Sequence, residues 1–320
     1  MLYLAFLSRL VTPALFCFLS IFSVAATAST PALWVASQGT SKVYLFGSMH
    51  FGRDDFYPLP DVVEQAFVHS TRLVVEVNLL QLGEDAQQVV FRHAGLPNDT
   101  SLNDVVSEET YAALAEQASR NGVPVSAFHR FQPWYATLML VEAEIRKTDL
   151  RQQLGLDLYF LRRAAASKKT IAELETLNSQ LGLFSSMAFE SQERFLSQTL
   201  ADLQNSSSYL KAAADAWVLG DIDLLDKTLI EPFREQEDAA LLFDKMFTQR
   251  NLKMTRAITD YLTAGEKAFL VVGVGHMLGE DGIIRLLQSK GIEVHRIPTS
   301  GAKTSVPDAL SFIPSKTGLP

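Results

Sequence analysis

The sequence predicts a mixed α/β (α+β) fold, in which strands from both ends of the chain form a central sheet around a large helical insertion. Three observations lead to this prediction. Short, β-branched apolar runs occur near the N-terminus, strands return after residue 267, and the segment before that residue has a helical pattern. The apolar share of 48% and the charged share of 20% suit a chain that buries a full core.

The first 28 residues predict a signal peptide. Arg9 supplies a positive charge, an apolar stretch follows, and "ATA" ending at Ala28 gives the small-x-small pattern of a cleavage site. An uncleaved membrane anchor is the alternative. No later stretch approaches the ~20 apolar residues of a spanning helix. We therefore expect an exported protein, periplasmic or secreted, that meets a membrane only through an uncleaved leader.

The residues available for chemistry are restricted by the position of the cysteine. Cys17, the one cysteine, lies inside the predicted leader. Any metal would therefore be bound by His, Asp, Glu or Asn rather than by a thiolate. The net charge is −8 and no basic cluster stands out, which argues against a nucleic-acid partner. The sequence does not indicate an oligomeric state.

The N-terminal half predicts strands first and helices after them. A hairpin is predicted from "LWVASQGTSKVYLFGS", a short helix from "LPDVVEQAFVHS" and a buried strand from "TRLVVEVN". Helices are then predicted around residues 79–94, over "SEETYAALAEQASRNG" with Ser107 as its N-cap, and over "PWYATLMLVEAEIRK" and "GLDLYFLRRAAASK". The run "KTIAELE" predicts a further strand.

The C-terminal half predicts the insertion and the return to the sheet. Residues 179 to about 261 show apolar positions three and four apart, which is typical of helices. A strand "KAFLVVGVG", a helix "DGIIRLLQSKG" and a strand "IEVHRIP" then have the length of a parallel crossover. We interpret residues 29–297 as one domain and 298–320 as a flexible tail. A two-domain split near Lys169 is the alternative.

Two Gly-x-x-His tetrapeptides follow apolar runs at distant points of the chain. They are "GSMH" at 47–50 and "GVGH" at 273–276. Ligands of open α/β sheets bind beyond the carboxyl ends of the strands, so both motifs are placed to deliver His50 and His276 to one site. Gly47 and Gly273 are predicted to permit a sharp strand exit and a close approach to the main chain.

Glu76 is the third candidate, because it lies in the apolar run "RLVVEVN". A buried carboxylate must be paired, hydrogen-bonded or bound to a metal. An ion pair with an arginine is the structural alternative. Two histidines and one glutamate, each near the end of a strand, match the 2-His-1-carboxylate composition of catalytic metal sites with open positions.

These motifs and their surroundings resemble a known family. The resemblance rests on "YLFGSMHFG", "FYPLPDVVEQAFVHSTRLVVEVN", "LGLDLYFLRRAAASKKTIAELETLNSQL", "RNLKMTRAI" and "FLVVGVGHMLGEDGIIRLLQSKGIEVHRI". These segments are similar to the TraB/GumN family, which also contains the TIKI-type metalloproteases. The similarity extends from about Leu33 to Ile297, and the paired Gly-x-x-His motifs with the intervening glutamate are its specific part.

The resemblance implies a mixed α/β fold and a divalent-metal-dependent hydrolase, with peptides or proteins as substrates. By position, it implies that His50 and His276 are metal ligands and that Glu76 is a ligand or the general base. It favours Mn²⁺ or Co²⁺, whereas Zn²⁺ also fits mixed nitrogen and oxygen ligands.

Further polar residues are carried over with the resemblance. Arg250 and Asn251 in "RNLKM" fall on the family's polar motif, and Glu175 and Asp157 match recurring acidic positions. One departure occurs. Family members often have an acidic residue two places after the glutamate, where this chain has Asn78. An uncharged amide there removes a second carboxylate from the implied site.

The predicted mechanism is hydrolysis by an activated water. A divalent ion held by the two histidines would lower the pKa of bound water, and Glu76 would accept its proton. Arg250 and Asn251 would donate to the developing oxyanion, unless Arg250 only forms an ion pair at a helix start. Two other functions stay open: a non-catalytic exported protein that binds a metal, haem or another ligand, and a regulator of cell-surface polysaccharide or of a peptide signal.

Overall fold

The structure is a computed structural model that describes residues 32–83, 85–203, 206–234 and 240–298 of the 320-residue chain. The predicted leader and the predicted tail beyond residue 298 lie outside the described residues, as does Cys17. Within the described ranges, no helix combines the length and the apolar character needed to cross a membrane.

The described residues contain a mixed sheet of six strands. The strands are β1 Leu33–Gln38, β2 Ser41–Ser48, β3 Arg72–Val75, β4 Thr170–Glu173, β5 Ala268–Gly273 and β6 Glu293–Arg296. Their order in the sheet is β4-β3-β5-β2-β1-β6. β4, β3, β5 and β2 run parallel, and β1 is antiparallel to β2 and β6. The carboxyl ends of four strands therefore meet at one edge.

The predicted mixed α/β fold is confirmed, and so is a sheet shared by N-terminal and C-terminal strands. β1 and β2 form the predicted hairpin, in which Gly39 takes a φ of 59° at the turn. The C-terminal unit differs in one respect from a simple crossover. β5 and β6 point in the same direction, but β2 and β1 lie between them. β6 finds its partner in β1 because the hairpin already occupies the position beside β5.

Helices fill the connections between the strands. They are α1 Asp61–His69, α2 Ala86–Ala94, α3 Leu102–Val105, α4 Glu108–Arg120, α5 Pro133–Ile145, α6 Leu156–Ala166, α7 Leu177–Ser185, α8 Phe189–Asp202, α9 Ser206–Leu219, α10 Ile222–Leu229, α11 Glu231–Arg234, α12 Ala240–Phe243, α13 Gln249–Thr263 and α14 Ile283–Ser289. A π-helical turn, Asp244–Thr248, joins α12 to α13. Ser107 caps α4 as predicted, because its side chain accepts from Thr110 N.

The main core lies on the central strands. The rings of Phe46, Phe160 and Phe269 meet there with centroid distances of 4.9–5.9 Å. All three side chains are fully buried, which fixes α6 against β2 and β5. A second core lies between α4, α5 and α8, and it packs Leu114 and Leu140 away from the sheet. The packing of α6 on β2 and β5 thus supports the carboxyl edge of the parallel strands.

We expect Gly182→Ala to stabilise the protein by about 0.5–1 kcal/mol, because alanine restricts the unfolded chain and favours a helix interior. Gly182 lies within α7, and an added Cβ would meet no atom closer than His93 Cε1 at 3.8 Å. Urea unfolding followed by circular dichroism measures the change. Gly122→Ala is the opposite control. Gly122 has a φ of 67°, which alanine disfavours, so this variant should have a lower free energy of unfolding. A loss of stability in Gly182→Ala would contradict this assignment of α7.

Candidate functional site

Three loops converge at the carboxyl edge of the sheet. His50 follows β2, Glu76 follows β3 and His276 follows β5. Gly273 marks the place where they meet. A Cβ built on this glycine would lie 3.5 Å from Glu76 Oε1, 3.6 Å from His50 Nε2 and 3.8 Å from His276 Cδ2. The two histidines and the glutamate singled out in the sequence therefore surround one point.

His50 lies at the solvent side of this point, with 59% of its side chain exposed. Its Nδ1 lies 2.9 Å from Asp157 Oδ2 at the start of α6, and Ser48 Oγ donates to Asp157 Oδ1 at 2.8 Å. The negative charge of Asp157 raises the pKa of His50 to about 9. The chain before His50 is bonded to the start of α6, because Leu156 N donates to Met49 O at 3.0 Å, and Gly155 leaves room for the His50 carbonyl oxygen that a Cβ would overlap. This arrangement directs Nε2 towards Gly273.

His276 lies on the buried side of the site and is only 5% exposed. Its Nδ1 lies 2.6 Å from Asn251 Oδ1, while Asn251 Nδ2 donates to Asp281 O at 2.8 Å. Because the amide nitrogen is used by Asp281 O, the amide oxygen accepts from the histidine Nδ1–H. Burial lowers the pKa of His276 to about 4. The neutral ring thus keeps a lone pair on Nε2, which lies 3.8 Å from Glu76 Oε1.

Glu76 is buried, and both of its carboxylate oxygens accept hydrogen bonds. Its Oε1 accepts from Gly273 N at 2.7 Å, and its Oε2 accepts from Arg250 Nη2 at 2.6 Å and from Gln180 Nε2 at 3.1 Å. Burial by itself raises the pKa of this carboxyl, but positive groups, His276 foremost, and the Gly273 N–H lower it to about 2. Glu76 is therefore ionised, and the predicted alternative of an arginine ion pair is present.

A second carboxylate completes the ion-pair network. Arg250 Nε lies 3.0 Å from both Glu175 oxygens, and Nη2 donates to Glu175 Oε2 at 2.7 Å. Its Nη1 donates to Met246 O at 3.1 Å. Arg250 thus bonds to both carboxylates and supports Glu76. Asn251 supports His276 in the same way, through its contact with Nδ1. Neither residue is placed as a free donor, and the oxyanion role predicted for them stays a prediction.

The two motif glycines serve to make room, and not to permit unusual backbone angles. Neither has a positive φ, so the predicted need for a special strand exit is wrong. A Cβ on Gly47 would lie 2.8 Å from Val274 Cγ2 in the second motif. A Cβ on Gly273 would lie among the side chains of the site. The absent side chain of Gly47 lets the His276 turn approach β2, and Trp217 Nε1 donates to Gly47 O at 2.9 Å.

Both motifs lie inside a match to a known family. The sequence model of the TraB/PrgY/gumN family matches residues 32–296. The chain belongs to the TraB/PrgY/gumN family. The match includes both Gly-x-x-His motifs, the intervening glutamate and the arginine that bonds to it. The family resemblance predicted from the sequence is therefore confirmed.

This TraB/PrgY/gumN chain is similar to proteins of Escherichia coli and of Amphimedon queenslandica. It is 26% identical over 260 residues to "Uncharacterized protein YbaP" of Escherichia coli strain K12, covering 81% of this chain and 92% of that protein. It is 21% identical over 311 residues to "Metalloprotease TIKI homolog" of Amphimedon queenslandica, covering 81% of this chain and 60% of that protein. No solved structure matches the chain.

The donors of this family member have the chemistry that a divalent ion requires. Two imidazoles are held through Nδ1 by an acceptor, which leaves Nε2 as the ligand atom, and an ionised carboxylate lies beside them. His50, whose pKa is raised to about 9, would have to release its Nε2 proton when the ion binds. They are not preassembled. Among residues 32–83, 85–203, 206–234 and 240–298, no three His, Cys, Asp or Glu side chains are arranged so that they could hold an ion. Binding would need Glu76 Oε1 and the exposed His50 to adjust.

Several residues of the site could not be found from the sequence. Gln180 donates to both Glu76 and Glu175, but a glutamine in a helix gives no signal of such a contact. Ser48 lies inside the first motif, but a serine there gives no signal that it bonds to Asp157. Asn78, where family members often have an acidic residue, caps the short 3-10 turn that follows it. Its side chain accepts from Leu80 N, and its own N–H donates to Glu173 Oε1 at 2.5 Å.

Proposed function

We propose that this TraB/PrgY/gumN chain is a divalent-metal-dependent hydrolase that cuts peptides. The observation that carries the proposal is the convergence of His50 Nε2, His276 and Glu76 Oε1 around Gly273, with both Nδ1 atoms held from behind. A similarity to a protein named as a metalloprotease homolog supports the reaction class. Export of the chain, which the first 28 residues predict, is part of the same proposal.

The side chains of the site would have two roles, to bind the ion and to orient its ligands. A bound divalent ion lowers the pKa of water and polarises a carbonyl group. His50 and His276 would hold it through Nε2, and Asp157 and Asn251 fix the orientation of these two rings. Arg250 and Gln180 both donate to Glu76 Oε2, and Oε1 lies 3.8 Å from His276 Nε2. We therefore favour Glu76 as a ligand through Oε1 rather than as the base.

The test combines metal binding with peptide cleavage. The chain without its leader, His50→Ala and His276→Ala would be titrated calorimetrically with Mn²⁺, Co²⁺ and Zn²⁺ and incubated with a peptide library read by mass spectrometry. We expect the unmodified chain to bind one of the ions and to cut peptides, and both variants to lose these properties. Asn251→Ala should weaken metal binding about 10–100-fold, because it only orients His276.

His69→Ala is the matched control, since this exposed histidine at the end of α1 bonds only to its own helix through Gln65 O in the contacts described. It should bind metal and cut peptides as the unmodified chain does. Absence of metal binding in the unmodified chain under every loading condition would end the proposal. Metal binding that the His50 and His276 variants lose, with no peptide cut, would instead support a non-catalytic metal-binding protein.

A further inference from the structure

Three phenylalanines lie together beside the candidate site. Phe233 belongs to α11, Phe243 ends α12 and Phe247 lies in the π-helical turn. The ring centroids are 5.3 Å apart for Phe243 and Phe247, 5.8 Å for Phe233 and Phe247, and 6.5 Å for Phe233 and Phe243. Each of the three residues is only partly buried. We call these three residues the phenylalanine wall.

The wall is continuous with the site. The centroid of Phe247 lies 5.5 Å from that of the His276 ring. A Cβ on Gly275, the residue before this histidine, would come 3.0 Å from Phe247 Cε1. The residue before the histidine of the second motif is therefore small because the wall closes against it. A molecule bound at His276 would have the wall as its neighbour.

Two arginines next to the wall have partners among the described residues. Arg250, one turn after Phe247, is held by two carboxylates and a carbonyl group. Arg234 lies over the Phe243 ring, 5.9 Å from its centroid, and pairs with Asp226 at 3.5 Å. The three rings themselves form an apolar surface, and the two arginines beside it are paired. An apolar group fits such a surface better than a charged one, which would lose its hydration there.

We propose that the phenylalanine wall binds an apolar side chain of the peptide substrate, next to the bond that is cut. The inference rests on the proposed hydrolase function and specifies its substrate class. Partly exposed aromatic rings lose contact with water when an apolar side chain covers them, which stabilises the complex. We assign the bound group to the peptide substrate because Phe247 directly contacts the His276 turn, where the reacting group of the substrate would lie.

A purely structural role makes a different prediction. Phe243 and Phe247 also pack against the main core, so changing either one should alter stability. Packing alone gives no reason for a change in the choice between apolar and polar substrates. The experiment must therefore measure a preference between substrates. Phe243 suits this purpose better than Phe247, because the described ring contacts of Phe243 do not include His276.

Matched peptides that carry leucine or serine at each position around the cut bond would be compared by kcat/KM. We expect the metal-loaded chain to prefer leucine at one of these positions by about tenfold or more. Phe243→Ser should reduce that preference to near unity, and Phe243→Leu should retain it. Phe233→Ser is the second variant, because Phe233 lies outside the main core. Phe91→Ser, at an exposed phenylalanine of α2, should behave as the unmodified chain.

The same peptides, labelled with a fluorophore, would be tested for binding by anisotropy, so that the inference does not depend on turnover. If no peptide is cut but the leucine peptide binds more tightly and Phe243→Ser removes the difference, the hydrolase proposal fails and the wall is supported. If cleavage occurs without a leucine preference, or if both serine variants keep that preference, the inference is overturned. Unfolding midpoints of all variants separate these outcomes from loss of the fold.

Discussion

Replacing Arg250 by methionine should destabilise the protein by about 3–5 kcal/mol, because it leaves two buried carboxylates without their partner. The side chains of Glu76 and Glu175 are 9% and 7% exposed, and the guanidinium between them bonds to both. Methionine fills much of the same volume but offers no donor. Urea unfolding of the purified chain, followed by circular dichroism, measures the loss.

Arg256→Met is the matched control on the same helix, α13, since Arg256 is exposed. Its free energy of unfolding should change by less than about 0.5 kcal/mol. Acid should reduce the damage in Arg250→Met, because protonation of Glu76 removes a buried charge that has lost its cationic partner. If Arg250→Met unfolded at the same urea concentration as the unmodified chain, Arg250 would not stabilise the site.

Gly273→Ala should remove metal binding and peptide cleavage while leaving the fold intact. The backbone of Gly273 has φ −50° and ψ 134°, which any residue adopts, and an added methyl would meet its neighbours at ordinary contact distances of 3.5–3.8 Å. That methyl would occupy the point around which the three side chains converge. We expect kcat/KM to fall at least about 100-fold, a loss that small misplacements in active sites produce.

The stability of Gly273→Ala should stay within about 1 kcal/mol of the unmodified chain, since no overlap is created. Gly182→Ala serves as the comparison, because its added methyl would meet a different histidine, His93, and none of the three converging side chains. Only the change at 273 should affect function. If Gly273→Ala kept its activity within a few-fold, the point between the histidines and the glutamate would not be where the substrate or the ion binds.

Much of the site was predictable because its main residues follow periodic segments. The apolar runs before "GSMH" and "GVGH" predict strands, and parallel strands deliver their following residues to one edge. Glu76 could be recognised because a carboxylate within "RLVVEVN" needs a partner. These inferences use local pattern and the chemistry of single residue types, which the sequence states directly.

The partners of these residues were not predictable from the residues themselves. Arg250 is 174 positions from Glu76, and a guanidinium at a helix start can pair with many carboxylates. The resemblance pointed to Arg250, Glu175 and Asp157, but it did not say that the first two bond to each other or that Asp157 holds His50. Nothing in the sequence around Gln180 indicates that it donates to Glu76 and Glu175. Side-chain partners depend on which helices pack over the edge of the sheet.

Local patterns in the sequence suffice to predict the mixed sheet, its carboxyl edge and the meeting of His50, Glu76 and His276 at the candidate site. Contacts between distant segments show which of two predicted reasons for the motif glycines holds. The sequence predicts both a sharp strand exit and a close approach at Gly47 and Gly273; neither has a positive φ, and both lie at close approaches. Gly47 makes room for Val274 of the other motif, and Gly273 makes room for the site. Such steric requirements come from contacts between distant segments, and a sequence pattern does not specify how closely two segments approach.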